Sequence, residues 1–183
     1  MKSLLLLLSI LLTKVDLVHG QTGQFKKYTN QEYKFSFDIP KNWTIKYSKE
    51  QDGFICVPIT KAEKETYADC FEGIVFRLNF YKSSLDSVLL SDGLYRKTGD
   101  TYYTSDRVND SVLAKNIQGK NWTGIYHNNI CGIGCKETGF HGAGGQCEFV
   151  YFSNGKTTIC IDTNGREFEE TVLKRIISSF QFD

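Results

Sequence analysis

Two histidines, three cysteines and six glycines fall between His127 and Cys147, the densest concentration of reactive side chains in this 183-residue chain. Four chemistries compete for it. His127, Cys131 and Cys135 with His141 or Cys147 could supply the four tetrahedral ligands that zinc takes, although a second closely spaced ligand pair is missing. Cys131 and Cys135 could exchange as a thiol-redox couple. Such couples usually have two intervening residues and open a helix that lowers the thiol pKa; here three residues intervene and glycines oppose a helix. Cys147 could act as a nucleophile with His141 or His127 as its base, which requires an unpaired cysteine. In the plainest alternative the segment is a glycine-rich loop stapled by disulfides, each contributing roughly 2–4 kcal/mol by restricting the unfolded chain. This is the favoured expectation. A phosphate-binding loop over Gly142–Gly145 is excluded by context, because a strand follows and no Lys-Ser/Thr pair is present.

The start of the chain bears on that choice. Met1-Lys2-Ser3, an apolar run from Leu4 to Leu12, and Val18-His19-Gly20 read as a removable secretion signal. Residues 1–20 are accordingly expected to be the signal and 21–183 a single domain. The run is shorter than the roughly 20 apolar residues of a membrane span. All six cysteines (Cys56, Cys70, Cys131, Cys135, Cys147 and Cys160) follow it, so a secreted or periplasmic, disulfide-bonded protein is expected. Cys56 and Cys70 flank one charged loop and are the favoured pair. Cys131 with Cys135, Cys135 with Cys147, and Cys131 with Cys160 stay open. If Asn154-Gly155 forms a two-residue turn, Cys147 and Cys160 are diagonal neighbours roughly 7–8 Å apart, beyond the usual ~4.4–6.8 Å for a bridge.

The elements that would carry these residues follow from periodicity. Tyr33–Ile39 alternates strictly and Trp43–Tyr47 alternates again after Pro40, both as half-buried strands do. Phe54–Thr60, Gly73–Tyr81, Thr101–Thr104, Val112–Ile117 and Trp122–Tyr126 read as further strands. Residues 21–27 read as a polar lead-in. Leu85, Val88, Leu89 and Tyr95 suggest a short helix capped by Ser83 or Ser84. Phe149–Phe152 and Thr157–Ile161 flank Asn154-Gly155, the signature of a type I′ hairpin. Asn164 and Glu167 resemble a capping box before a helix with Phe168, Val172, Ile176 and Ile177 on one stripe. Phe180 and Phe182 alternate as a closing strand.

The two ends together resemble the PsbP-like superfamily. Tyr33-Lys34-Phe35-Ser36-Phe37-Asp38-Ile39-Pro40-Lys41-Asn42-Trp43 is similar to that family's strand–Pro–x–x–Trp opening. Ile176-Ile177-Ser178-Ser179-Phe180-Gln181-Phe182 is similar to its closing helix and strand. The resemblance implies an α+β fold: a central antiparallel sheet flanked by helices, here disulfide-stapled. The cysteines and the glycine-rich segment depart from the pattern. The superfamily has no common activity, and its members mostly bind other proteins, so fold constrains function weakly.

Composition narrows the remaining classes. The chain has 22 basic and 21 acidic residues, and loss of Lys2, Lys14 and Asp16 with the signal leaves it formally neutral. Nucleic acid and anionic membrane surfaces are therefore poor partners. Carboxylates are scattered, so no acid–base pair of a glycosidase stands out. Asn42, Asn109 and Asn121 lie in glycosylation sequons. Trp43 and Trp122 are read as core before binding anchors. The acidic residues Asp162, Glu167, Glu169 and Glu170 are read as a solvated first helical turn. The expectation is a non-enzymatic binding or accessory protein with a protein partner and no cofactor, in one version a periplasmic immunity or inhibitor protein. The alternative is a metal-binding or thiol-based enzyme centred on His127–Cys147.

Overall fold

The computed structural model describes residues 24–49, 52–59, 74–91, 93–106, 109–134, 141–163 and 167–183, with side chains left aside at 131–134 and 141–144. Its strands are β1 (Phe25–Asn30), β2 (Phe35–Pro40), β3 (Trp43–Ser48), β4 (Gly53–Pro58), β5 (Phe76–Tyr81), β6 (Tyr95–Thr98), β7 (Thr101–Thr104), β8 (Val112–Gln118), β9 (Thr123–Gly134), β10 (His141–Ser153), β11 (Thr158–Asp162) and β12 (Gln181–Phe182). Helix α1 spans Leu85–Leu90 and α2 spans Glu170–Ser179. A three-stranded sheet runs β1-β2-β12, and a nine-stranded sheet runs β3-β4-β5-β11-β10-β9-β8-β7-β6.

This corrects the expected α+β class. The molecule is predominantly β, and its two described helices are only six and ten residues long. Two misread segments explain the difference. The polar lead-in is strand β1, paired along its whole length with β2 from Phe25↔Pro40 to Asn30↔Phe35. Tyr95 does not extend α1 but begins β6, paired with Thr104. The layer over one face of the large sheet is thus supplied by the small sheet together with α2, rather than by helices alone.

Period-two alternation assigns the two faces. On the first, Cys56, Phe76, Leu78, Val150, Phe152, Ile159 and Ile161 meet Phe35, Phe37 and Ile39 of β2 and Val172 and Ile176 of α2. Phe180 stacks on Phe152 with ring centroids 3.8 Å apart. Trp122 stands edge-on to both rings, and its indole N–H donates to the Phe180 carbonyl at 2.8 Å. Burying each such aromatic stabilises the fold by ~1.5–3 kcal/mol. On the second face, Ile125, Tyr151 and Cys160 pack under Leu89 of α1 and against Tyr95, Tyr102 and Ala114. Ser84 caps α1 as expected, its hydroxyl accepting the Ser87 N–H.

The ends of the chain are joined. Gln181 and Phe182 pair with Ser36 and Phe35. Farther along β2, the Asp38 N–H donates to Ser179 Oγ at 2.9 Å, and the Asp38 carboxylate meets Arg175 at 2.5 Å. The expected closing strand is therefore present, with the end of α2 beside it. The capping box is not borne out as written: Asn164 lies outside the described residues, and α2 starts at Glu170 with no side-chain cap.

The β10–β11 hairpin forms with a different turn. Ser153 faces Thr158, so four residues rather than two connect the strands. The Asn154 side-chain oxygen, Oδ1, accepts the N–H groups of Lys156 and Thr157, an Asx turn, and Gly155 takes the positive φ of 86°. Tyr151 then faces Cys160, two residues away from the Phe149 that a two-residue turn would set opposite it.

The glycine-rich segment is also not simply a loop. β9 and β10 pair from Ser153↔Thr123 out to His141↔Gly134, with a register shift between Ala143 and Gly145. Ladder hydrogen bonds need no side chains, so glycines continue the hairpin despite their low strand propensity. The extra residue is a β-bulge, which bends and twists the strand locally.

The expected pairing of all the cysteines is corrected as well. Cys56 and Cys160 are free thiols and fully buried, which removes the favoured Cys56–Cys70 bridge and the Cys131–Cys160 alternative. Cys147 is disulfide-bonded, and no disulfide joins two cysteines whose side chains are described. An even count did not imply complete pairing, because two cysteines alternate into the core as small hydrophobes.

Candidate functional site

His127 is the reactive residue of the central segment whose surroundings are fully on view. It lies on the second face of β9, 2 % exposed, directly opposite Phe149 of β10, and its ring stacks on that phenyl at 4.9 Å. Nδ1 is 2.8 Å from Asn129 Oδ1. An amide oxygen can only accept, so Nδ1 carries the proton and Nε2 is left as an acceptor. Tyr95 Oη lies 2.7 Å from that nitrogen and 3.2 Å from Tyr151 Oη. Burial disfavours the imidazolium and lowers the His127 pKa to about 4, while the Asn129 contact raises it slightly. At neutral pH the ring is uncharged, and both nitrogens already have protein partners.

This arrangement separates the expected constellation. His127 is committed to Tyr95 and Asn129, so it is not poised as a zinc ligand or as a base beside a thiol. Among the described residues no group of three or more His, Cys, Asp or Glu side chains converges. The side chains of Cys131, Cys135 and His141 lie outside the described set. Cys147 faces Asn129 across the β9–β10 ladder, and its sulfur is bonded, which removes the reading of a free nucleophile there. Burial raises the pKa values of Cys56 and Cys160, which also disfavours their thiolates.

A crevice of about 450 Å³ opens above the Tyr95–His127–Tyr151 cluster, with α1 and β7 contributing to its walls. Sequence reasoning found His127 but missed Tyr95, Tyr151, Asn129 and Phe149. The signal was register: positions 125, 127 and 129 share a face with 147, 149 and 151 once β9 and β10 pair.

A second, larger cleft of about 650 Å³ opens where the small sheet, β3 and the start of α2 come together. Phe25, Pro40, Trp43, Pro58 and Phe168 form its apolar walls, with Lys41, Glu167 and Glu169 also lining it. Phe168 is held in place from behind. Its N–H donates to Glu148 Oε2 at 2.6 Å, while Glu148 Oε1 accepts the Tyr126 hydroxyl at 2.9 Å. The Trp43 and Phe168 rings are 6.3 Å apart. The two tryptophans therefore differ: Trp122 is core, 4 % exposed, whereas Trp43 is half-buried and lines a cleft. The acidic residues do not gather as a cation site; Glu167 accepts the Asn128 amide at 3.3 Å and Glu170 pairs with Lys174.

All three sequon asparagines are exposed. Asn42 lines the larger cleft. The Asn109 amide donates to the Asp106 carboxylate, and the Asn121 amide donates to the Phe182 carbonyl at 2.6 Å.

Comparisons with known proteins give distant likenesses only. No family model and no curated protein matches the chain. A crystal structure from Bacteroides thetaiotaomicron VPI-5482 is similar with a TM-score of 0.48 and 15% identity over 87% of this chain. This chain spans about half of that one, 49%. The solution structure of cyanobacterial PsbP (CyanoP) from Synechocystis sp. PCC 6803 is similar with a TM-score of 0.40 and 10% identity, over 87% of this chain and 93% of that one. Among the described residues no helix is long and apolar enough to cross a membrane.

Proposed function

We propose that this chain is a non-enzymatic binding or accessory protein of the secreted or periplasmic space, and that a protein partner docks in the cleft around Trp43 and Phe168. The observation that carries this reading is the cleft's make-up: apolar aromatic and proline walls at the meeting of two sheets and a helix, lined also by Lys41, Glu167 and Glu169. Aromatic side chains in partly desolvated pockets are the groups that dominate protein–protein binding energy. Glu167 and Glu169 are both exposed and outnumber the one cation, Lys41, in the lining, so the occupant that fits is an extended segment laying one apolar side chain against the rings and a basic residue beside the carboxylates. The uncharged His127, with a protein partner on each ring nitrogen, also favours binding over turnover at that position.

The test uses Trp43 fluorescence, because Trp122 is sealed in the core and serves as an internal constant. Short peptides alternating apolar and basic residues should quench or shift the emission, and charge-reversed peptides should not. Phe168→Ala should weaken binding at least tenfold. Charge-independent binding, or binding unchanged in that variant, would overturn the reading.

A further inference from the structure

β3 ends the nine-stranded sheet, and among the described residues only β4 pairs with it. The phase of that pairing is fixed by one contact. The Ile59 N–H donates to the Asn42 carbonyl at 2.7 Å, in the register that also sets Trp43 opposite Pro58 and Thr44 opposite Val57. Opposed residues of an antiparallel pair alternate between bonded and non-bonded. Thr44, Lys46 and Ser48 therefore turn their backbone groups toward β4, and Trp43, Ile45 and Tyr47 turn theirs outward. The Cys56 carbonyl agrees with this phase, since it accepts the Val75 N–H on the other side of β4. Open edges are normally blunted by charge or shortness. β1 carries Lys26 and Lys27, β6 carries Arg96 and Lys97, and β12 is two residues long. β3 is six residues long, with Trp43, Thr44, Ile45 and Tyr47 against a single cation, Lys46. Trp43 and Ile45 pack toward the first core, so Lys46 projects from the opposite face.

We infer that the partner segment docks by adding a strand to the free edge of β3. The inference rests on the cleft reading above and says how the segment is held. Trp43 belongs both to the outward-facing backbone and to the cleft wall, so a strand paired along β3 runs into the cleft at that end. Trp43 to Tyr47 is roughly 13 Å of strand, which a segment of about five residues covers. The N–H and C=O groups of Trp43, Ile45 and Tyr47 supply main-chain hydrogen bonds, which give affinity, while the cleft takes a side chain and gives specificity. The apolar side chain at the end of the paired stretch lies against Trp43 and Phe168. The chain beyond it crosses Glu167 and Glu169 and carries the basic residue.

The test remakes the peptides that shift Trp43 emission with one backbone amide replaced by an ester, position by position, and titrates each against the full chain. Along a stretch of about five residues, esters at every second position should weaken binding at least fivefold, and the intervening esters less than twofold. Tyr47→Pro removes an outward N–H and spares the β3–β4 ladder, as proline does on edge strands. It should weaken binding at least tenfold, whereas Tyr47→Val, which keeps the N–H, should change it less than twofold. If Tyr47→Pro does not fold, the ester series on the unaltered chain decides alone. Peptides that bind but tolerate an ester at every position would overturn the inference and leave the cleft reading standing. Absence of any peptide binding would overturn both. Dimerisation of the chain alone through β3, seen by sedimentation and abolished by Tyr47→Pro, would make the occupant a second copy and also overturn it.

Discussion

The Tyr95 hydroxyl lies 2.7 Å from Nε2 of His127, and the Asn129 amide oxygen holds the opposite ring nitrogen at 2.8 Å. The first residue of a short strand and one residue of a long strand thereby fix the tautomer of a buried imidazole. What the cluster does to stability follows from that state.

Stability should fall as the medium is acidified. The folded His127 pKa is about 4, and that of an unfolded histidine is about 6.5. Between these values the unfolded chain binds the additional proton, so stability is fully present above about pH 6.5 and declines as pH falls toward 4. From pH 7 to 5 the loss expected from this group is about 2 kcal/mol. Urea titrations at the two pH values measure it, and His127→Gln should flatten the difference. A His127 imidazole resonance that titrates near pH 6.5 in the folded protein would contradict the prediction.

Removing one member of the phenol pair should cost more than its hydroxyl suggests. Tyr95→Phe leaves both Nε2 of His127 and the Tyr151 hydroxyl without this partner, at about 1–3 kcal/mol. The double variant Tyr95→Phe/Tyr151→Phe should be less destabilised than the sum of the singles, as coupled buried networks are. Chemical denaturation of the four proteins gives the coupling directly, and strict additivity would show that the network is not one unit.

Cys56 and Cys160 should be silent toward thiol reagents in the native protein. Both are buried, and burial raises both pKa values, so neither access nor thiolate is available. Labelling by iodoacetamide should require denaturant and should follow the unfolding transition. Mass spectrometry of native protein showing either residue alkylated within minutes would count against the assigned packing.

Gly124 should not accept a methyl group. A Cβ there would run into the carbonyl oxygen of Tyr151 on the neighbouring strand, where the backbones of β9 and β10 lie face to face. Gly124→Ala should destabilise by more than the ~0.5–3 kcal/mol typical of single substitutions, read as a lowered denaturation midpoint. A glycine at the open turn position 155 has nothing within 4 Å of its Cβ direction. Gly155→Asn, which keeps a residue tolerant of positive φ, should cost far less.

Much of the strand pattern was legible because alternation marks a half-buried strand locally. Phe35, Phe37 and Ile39 announced β2, and Phe76 and Leu78 announced β5. The closing segment Phe180–Phe182 was legible for the same reason. β1 was not, since Phe25-Lys26-Lys27-Tyr28 presents little apolar character and is held by pairing with β2 rather than by its own propensity. The site was half legible. His127 stood out by residue type, but its partners come from β6 and β10, and only the strand register sets Phe149 opposite it. The hairpin shows how sensitive such reasoning is: a turn two residues longer than Asn-Gly implied moved every partner of Cys160 while leaving the strands themselves where alternation put them.

The pairing of β12 with β2 has a consequence for how the chain comes into being. The strand that completes the small sheet, the two-residue β12, lies more than 140 residues after its partner β2, and Phe180, which packs on Phe152 and Trp122, arrives only just before it. A chain emerging from the ribosome would hold β2 with its apolar face incompletely covered until Phe180–Phe182 have emerged. Until then nascent intermediates would remain open and accessible to chaperones. A stop codon in place of Phe180 would leave that core unclosed although the other strands of both sheets had been made.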